Sequence, residues 1–172
     1  MYLLFCRIIM DEHISIFYTI TNLFAIASAL LSMRWPTIAR VLFGSMFICA
    51  AVANSYIATS NPAAYLSFGE LTPSGLYRLF ILGPFAGHVQ LFILIIAACQ
   101  LFIGIFICYR GPLMTAAMIG GIVFLIAIAP LGVGSAFPST LIMAVAFLIL
   151  LLKKTDVNIY GLLRNKMKYS ER

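Results

Sequence analysis

The chain has 172 residues, of which 63% are apolar and only 9% charged, against roughly 25% charged in an average soluble domain. A soluble fold of this length could not hide so much apolar surface, so lipid must solvate most of it. The +6 formal charge does not point to nucleic acid. Six of the eleven Lys/Arg residues (Lys153, Lys154, Arg164, Lys166, Lys168 and Arg172) follow Leu152, directly after an apolar block, where anionic lipid head groups sit.

A bilayer core of about 30 Å takes ~20 residues of helix to cross, and only helices or closed barrels satisfy their backbone there. Five apolar blocks of about this size predict one all-α membrane domain over 1–172, a polytopic bundle of five spans. The first runs over Ile14–Met33 and ends at Arg34-Trp35-Pro36. Residues 1–9 before it read either as a short interfacial segment or as a start-codon artefact, since Met10-Asp11-Glu12-His13 is itself a sensible start. The second span covers Thr37–Ala58. A long connection, 59–87, then carries Asn61-Pro62, a helix-start signal predicting a short helix over Pro62–Phe68 closed by Gly69. Its second half, Leu71–Phe85, is too broken by Pro73, Gly75, Gly83 and Pro84 to span, and too apolar to float in water. It reads as interfacial or partly re-entrant, anchored by Tyr77, Phe80 and Phe85.

The third span, His88–Tyr109, is stopped by Arg110-Gly111-Pro112, and the fourth, Leu113–Pro130, follows at once as its hairpin partner. The fifth, Ser139–Leu152, comes after the Gly/Pro-rich turn 131–138 and is short, gaining reach if Lys153 and Lys154 snorkel. The tail 153–172 mixes Ile159, Tyr160, Leu162, Leu163 and Met167 with basic residues, which suits a helix on anionic inner-leaflet lipid. If the segments after spans one, three and five share a side, that side holds nine Lys/Arg and the other only Arg7 and Arg78. Positive residues favour the cytosol. The expectation is a plasma-membrane (inner-membrane) protein with its N-terminus outside and its basic tail inside.

Helices in lipid associate through close backbone approach and a few polar contacts. Small-residue stripes mark Ala25/Ala29 in span one, and Ser45/Cys49/Ala53 with Ala50/Asn54/Ala58 in span two. Span three has Ala97/Gln100/Gly104/Cys108 and span four Ala116/Gly120 and Ala117/Gly121; span five has few small residues and is expected at the periphery. Asn22, Asn54 and Gln100 are the strong polar side chains inside the spans. They read first as interhelical hydrogen bonds and second as the lining of a small-solute pathway. No acidic or basic residue lies mid-span, which weighs against ion-coupled transport.

His13, Glu70, Arg78 and His88 all fall on the outer side of this topology and form the candidate ligand or metal cluster, with Glu70 and Arg78 able to pair across the loop. Neither His has metal-ligand spacing to a second ligand beyond the adjacent acidic pair at 11–12, so no metal is assigned. Cys6, Cys49, Cys99 and Cys108 form no C-x-x-C, which argues against a disulfide framework and thiol–quinone chemistry. There is no catalytic Ser–His–Asp pattern, Walker loop, G-x-G-x-x-G or H-E-x-x-H, so no catalytic residue is assigned.

One family shares this texture. ARVLFGSMFICAAVANSYI, then NPAAYLSFGE, then QLFILIIAACQLFIGIFICYRGP followed by two more helices, resembles the DoxX-like membrane family over Ala39–Lys154. The resemblance implies a four-helix core, here with an added N-terminal helix, and at most a membrane redox accessory role, since some members are subunits of thiosulfate–quinone oxidoreductases. Members often carry an acidic residue in the second family helix. Gln100 stands nearest to it here, a departure that bears against proton or redox work.

The leading expectation is a non-enzymatic accessory or scaffold subunit without a cofactor, binding lipid and a partner membrane protein or a second copy of itself. Beside it stand a redox subunit handling quinone or haem near the outer leaflet through His13 and His88, and a small-solute channel or carrier.

Overall fold

The structure, a computed structural model, describes the backbone of residues 2–153 and of Ile159, with side chains for Ile16, residues 18–153 and Ile159. It is all-helical, with no strand among the described residues. In chain order, α1 spans Tyr2–Arg34 and α2 Pro36–Ser60. A 3-10 turn, Pro62–Ser67, leads into the short α3 (Phe68–Leu71) and α4 (Gly75–Phe80). A π-type turn at Ile81–Phe85 and a 3-10 turn at Ala86–His88 connect these to α5 (Val89–Phe106). Then come α6 (Pro112–Ile128), a 3-10 stretch Ala129–Ser135, and α7 (Ser139–Leu152).

Proline sets the breaks. Pro36 disfavours helical backbone at Trp35, which sits at φ −135 and ψ 72, and then opens α2 from its first turn. Pro112 opens α6 in the same way. Three helical stretches are long and apolar enough to cross a bilayer, 36–60, 75–106 and 112–135, while α7 has only 14 residues.

α1 packs on α2 and α7, α2 on α5, α5 on α6 and α6 on α7, so the five long helices close a ring. The hairpin partners α5 and α6 do touch, but α5 packs mainly on α2, and α6 on α7. Inside the ring, Phe147 meets Phe43 at 4.6 Å and Phe47 at 5.6 Å between ring centroids, and Phe47 meets Phe124 at 5.8 Å. Because lipid is as apolar as these rings, their contribution is close-range dispersion and fit rather than transfer out of water.

Two glycines make that fit possible. A Cβ on Gly121 would lie 2.3 Å from the Phe147 ring. One on Gly104 would lie 2.9 Å from the Gly44 carbonyl and 3.0 Å from the Ile48 amide, so α2 and α5 approach backbone to backbone.

The small-residue stripes are used selectively. Gln100, Gly104 and Cys108 with Ala97 are buried as one face of α5, and Ala117 with Gly121 packs on α6. On α2, Ser45, Cys49 and Ala53 are exposed, and the packing edge is instead Arg40, Phe43, Gly44, Phe47, Ala51 and Ala58. α7 is not peripheral. Phe147 and Leu150 are fully buried at the centre of the ring, along with Ala146, because a large ring opposite a glycine packs as well as two small residues facing one another.

The helical path also differs from the expected one at its ends. α1 is continuous from Tyr2, so residues 2–9 belong to the same helix as Ile14–Met33. Asn61 occupies the cap position before Pro62 but makes no side-chain cap bond. Gly69 does not close that helix. It lies buried inside α3, where a Cβ would meet Leu82 at 2.9 Å. The stretch expected to be too broken to span is helical in short pieces from Gly75 to α5, with breaks where Gly83 (φ −108, ψ −107), ahead of Pro84, and His88 (φ −142, ψ 34) leave the helical region.

Gly104→Val is expected to destabilise the protein by about 1–3 kcal/mol through overpacking, because the atoms that must move are backbone. Gly75→Ala, where a Cβ meets nothing within 4 Å, should stay within about 0.5 kcal/mol of wild type. Unfolding curves in mixed micelles compare the two.

Candidate functional site

Three polar assemblies stand out in an otherwise apolar molecule. The first closes one end of the bundle. The amides of Ile107, Cys108 and Tyr109 bond to the Ile103, Ile105 and Phe106 carbonyls at the end of α5, so the carbonyls still to be paired there are those of the turn 107–109 itself, and an unpaired buried carbonyl is costly. Arg40, on the second turn of α2 and 0% exposed, reaches across to that end. Its Nε donates to the Ile107 carbonyl at 2.8 Å and its Nη2 to the Tyr109 carbonyl. The carbonyl between them, Cys108, accepts from the backbone N–H of Ile159 at 3.1 Å. The Ile159 side chain is 4% exposed and belongs to the central core cluster.

In return, the Cys108 thiol donates to the Arg40 carbonyl at 3.6 Å. A cation also suits the negative end of the α5 dipole. The same end receives a second reach between helices, where Lys153 Nζ donates to the Met33 carbonyl near the end of α1. Arg34 lies there too, its guanidinium 5.5 Å from the Trp35 ring centroid.

The second assembly runs inward from the opposite end. Tyr65 donates its hydroxyl to Asn54 Oδ1 at 2.7 Å, and Asn54 Nδ2 donates to Gln100 Oε1 at 2.8 Å. This chain ties the 62–67 turn to α2 and α2 to α5. Burial pushes the Tyr65 phenol above its ordinary pKa, so at neutral pH it remains the protonated donor that Asn54 needs. Asn22 takes no part. Its Nδ2 bonds to the Tyr18 carbonyl of its own helix at 2.9 Å, so the structure brings two of the three intramembrane polar residues together and leaves the third apart.

The third assembly caps that opposite end. Thr72 donates to the Pro130 carbonyl at 2.6 Å and Tyr77 to the Ala127 carbonyl at 2.6 Å, while Ser74 accepts from the Tyr77 amide at 3.5 Å to start α4. The 59–87 connection is thereby strapped to the end of α6. α4 buries none of its residues. Leu76 and Leu79 are each 75% exposed.

The outer-face candidates do not converge. Glu70, Arg78 and His88 are all exposed, and Glu70 and Arg78 make no ion pair with each other among the described contacts. The His13 side chain lies outside the described residues, as do Lys154, Arg164, Lys166, Lys168 and Arg172, together with the expected surface helix after 156 apart from Ile159. Among the described residues, no three His, Cys, Asp or Glu side chains gather to hold a metal, and no nucleophile stands beside a base.

From the sequence, Arg40 and Tyr65 receive no site role; Arg40 enters through the charge asymmetry and the family resemblance. A signal for Arg40 was present: it continues the stripe Gly44, Phe47, Ala51 and Ala58 at helical spacing, which places a cation on the packing face. No family model, curated protein or solved structure matches this chain.

Arg40→Met should cost about 3 kcal/mol or more, since two bonds to a charged donor are lost and two carbonyls are orphaned. Arg40→Lys should recover only part, because a point charge cannot serve both carbonyls as the planar fork does. In a double-mutant cycle, Asn54→Leu and Gln100→Leu should couple by about 0.6–1.7 kcal/mol. Asn22→Leu should be additive with either, as read by the same micellar unfolding assay.

Proposed function

We propose that the chain is a five-span membrane protein acting as a non-enzymatic accessory or scaffold subunit, held by lipid and by a companion membrane protein. α1, through its apolar part 14–33, and α7, lengthened by Lys153 and Lys154, add two crossings to the three long apolar stretches. The observation that carries the reading is the segregation of charge between the two ends. Arg34, Arg40, Arg110 and Lys153 gather where α1, α5 and α7 finish, an adjacency fixed by the Arg40–Tyr109 and Lys153–Met33 contacts. Of the described residues at the opposite end, only Arg7, near the start of α1, and Arg78 are Lys or Arg. By the positive-inside rule the first end faces the cytosol, with the basic tail against anionic inner-leaflet lipid and the 59–87 cap, with α4 as its interfacial element, facing out.

The accessory role is supported by where the polar groups are spent. The side-chain bonds described above for Arg40, Tyr65, Asn54, Thr72 and Tyr77 join one element of this fold to another. The outward surface is apolar, and it includes a shallow groove of about 380 Å³ between α2 and α5, lined by Ala51, Val52, Ser55, Leu94, Ala97, Ala98 and Leu101. Its chemistry suits acyl chains or a neighbouring helix.

Two experiments test this. A phosphatase reporter, active only outside the cytosol, should be active at the N-terminus and silent at the C-terminus. Activity at both ends, or at neither, would overturn the odd number of crossings. Protein purified in mild detergent should be colourless and should co-elute with a second membrane protein in fixed ratio. A Soret band, or a quinone that co-purifies in stoichiometric amount, would replace the scaffold reading with the redox one.

A further inference from the structure

Other buried hydroxyls in this protein find a carbonyl acceptor, in their own helix or on a neighbouring segment. Ser28 and Ser32, both 0% exposed, donate one turn back to the Phe24 and Ser28 carbonyls, and Thr72, 8% exposed, donates to Pro130. Ser139 and Thr140 break the pattern. They are 0% and 2% exposed, and neither side-chain oxygen has a hydrogen-bond partner among the described residues.

The reason is their place in the fold. They are the first two residues of α7, so the carbonyls one turn back belong to the irregular segment before the helix, and the Ala136 carbonyl already accepts from the Ser139 amide. Back-bonding of the Ser28 type needs a helical carbonyl that is not there. Two adjacent orphan hydroxyls, buried at the first two positions of α7, form a polar spot at the start of an otherwise apolar helix. Buried polar groups of native proteins are paired, and a polar spot that the chain leaves unpaired is where internal water is held, usually by about three hydrogen bonds.

We propose that the first turn of α7 is a binding site for an internal water molecule, held by the hydroxyls of Ser139 and Thr140. The water supplies the acceptors and donors that the missing helical turn would have given, and fixes the start of α7 beneath the 129–135 turn. This site is independent of how many helices cross the membrane.

Met143 reports on it. It lies three residues after Thr140, hence on the same face, and is 6% exposed. Met114, equally 6% exposed, sits in the first turn of α6 at the other end of the bundle and serves as its reference. Hydroxyl radicals from a brief X-ray pulse oxidise side chains beside a held water even where bulk solvent does not reach. In wild-type protein, Met143 should be oxidised several-fold faster than Met114. In the double variant Ser139→Ala, Thr140→Val that excess should vanish, and the melting temperature should fall by a few degrees. If Met143 is no more reactive than Met114 in the wild type, the proposal is overturned, a reading that needs no variant to fold. A double variant as stable as wild type or more so would also overturn it, because removing dry orphan hydroxyls relieves a cost while removing water ligands incurs one.

Discussion

Pairing the carbonyls that follow a helix end inside an apolar bundle is the constraint on which this architecture turns. Water satisfies the last carbonyls of a helix in a soluble protein, whereas a membrane bundle must supply donors from its own chain. For the turn that follows α5 the donors come from α2, through the Arg40 guanidinium on Ile107 and Tyr109, and from the Ile159 amide on Cys108. For α1, Lys153 reaches Met33 from just beyond α7. Each reach joins segments far apart in sequence, so the same bonds that satisfy the backbone also fix which helix ends lie together.

That arrangement concentrates positive charge. A guanidinium serving carbonyls must sit at a C-terminal helix end, where the dipole also favours it, and the helices that end there are α1, α5 and α7. For Arg40 and Lys153, packing and positive charge at this end are therefore two consequences of one requirement. The opposite end is handled without charge, by hydroxyl donors from Thr72 and Tyr77 to the α6 end and by the Tyr65–Asn54–Gln100 chain. Between the two ends, the glycine contacts of α2 with α5 and of α6 with Phe147 let the ring close.

Much of this was legible in the sequence, because apolar block length and proline punctuation are local signals. The ends of α2, α6 and α7 fall within about two residues of where Trp35-Pro36, Gly111-Pro112 and Ser139 place them. The face of α5 was legible as well, since Gln100, Gly104 and Cys108 repeat at helical spacing. The central place of α7 was not, because a Phe-into-glycine contact joins one large residue to one small residue on different helices, and neither helix alone announces it. Nor was the helix α4, which begins at Gly75 just after Pro73, although the break that Gly83 and Pro84 signal is present. The role of Arg40 was hidden for a related reason: charge near a span boundary is ordinarily read against water and head groups, and only the packed neighbour reveals carbonyls to bind.

The most direct test is magnetic resonance on the Arg40 side chain in nanodiscs. Its Nε–H should exchange with deuterated solvent far more slowly than those of Arg34 and Arg110, which are exposed, and should show a through-space correlation to the Ile107 carbonyl carbon. An Arg40 Nε–H that exchanges as fast as theirs, with no such correlation, would contradict the account at its base.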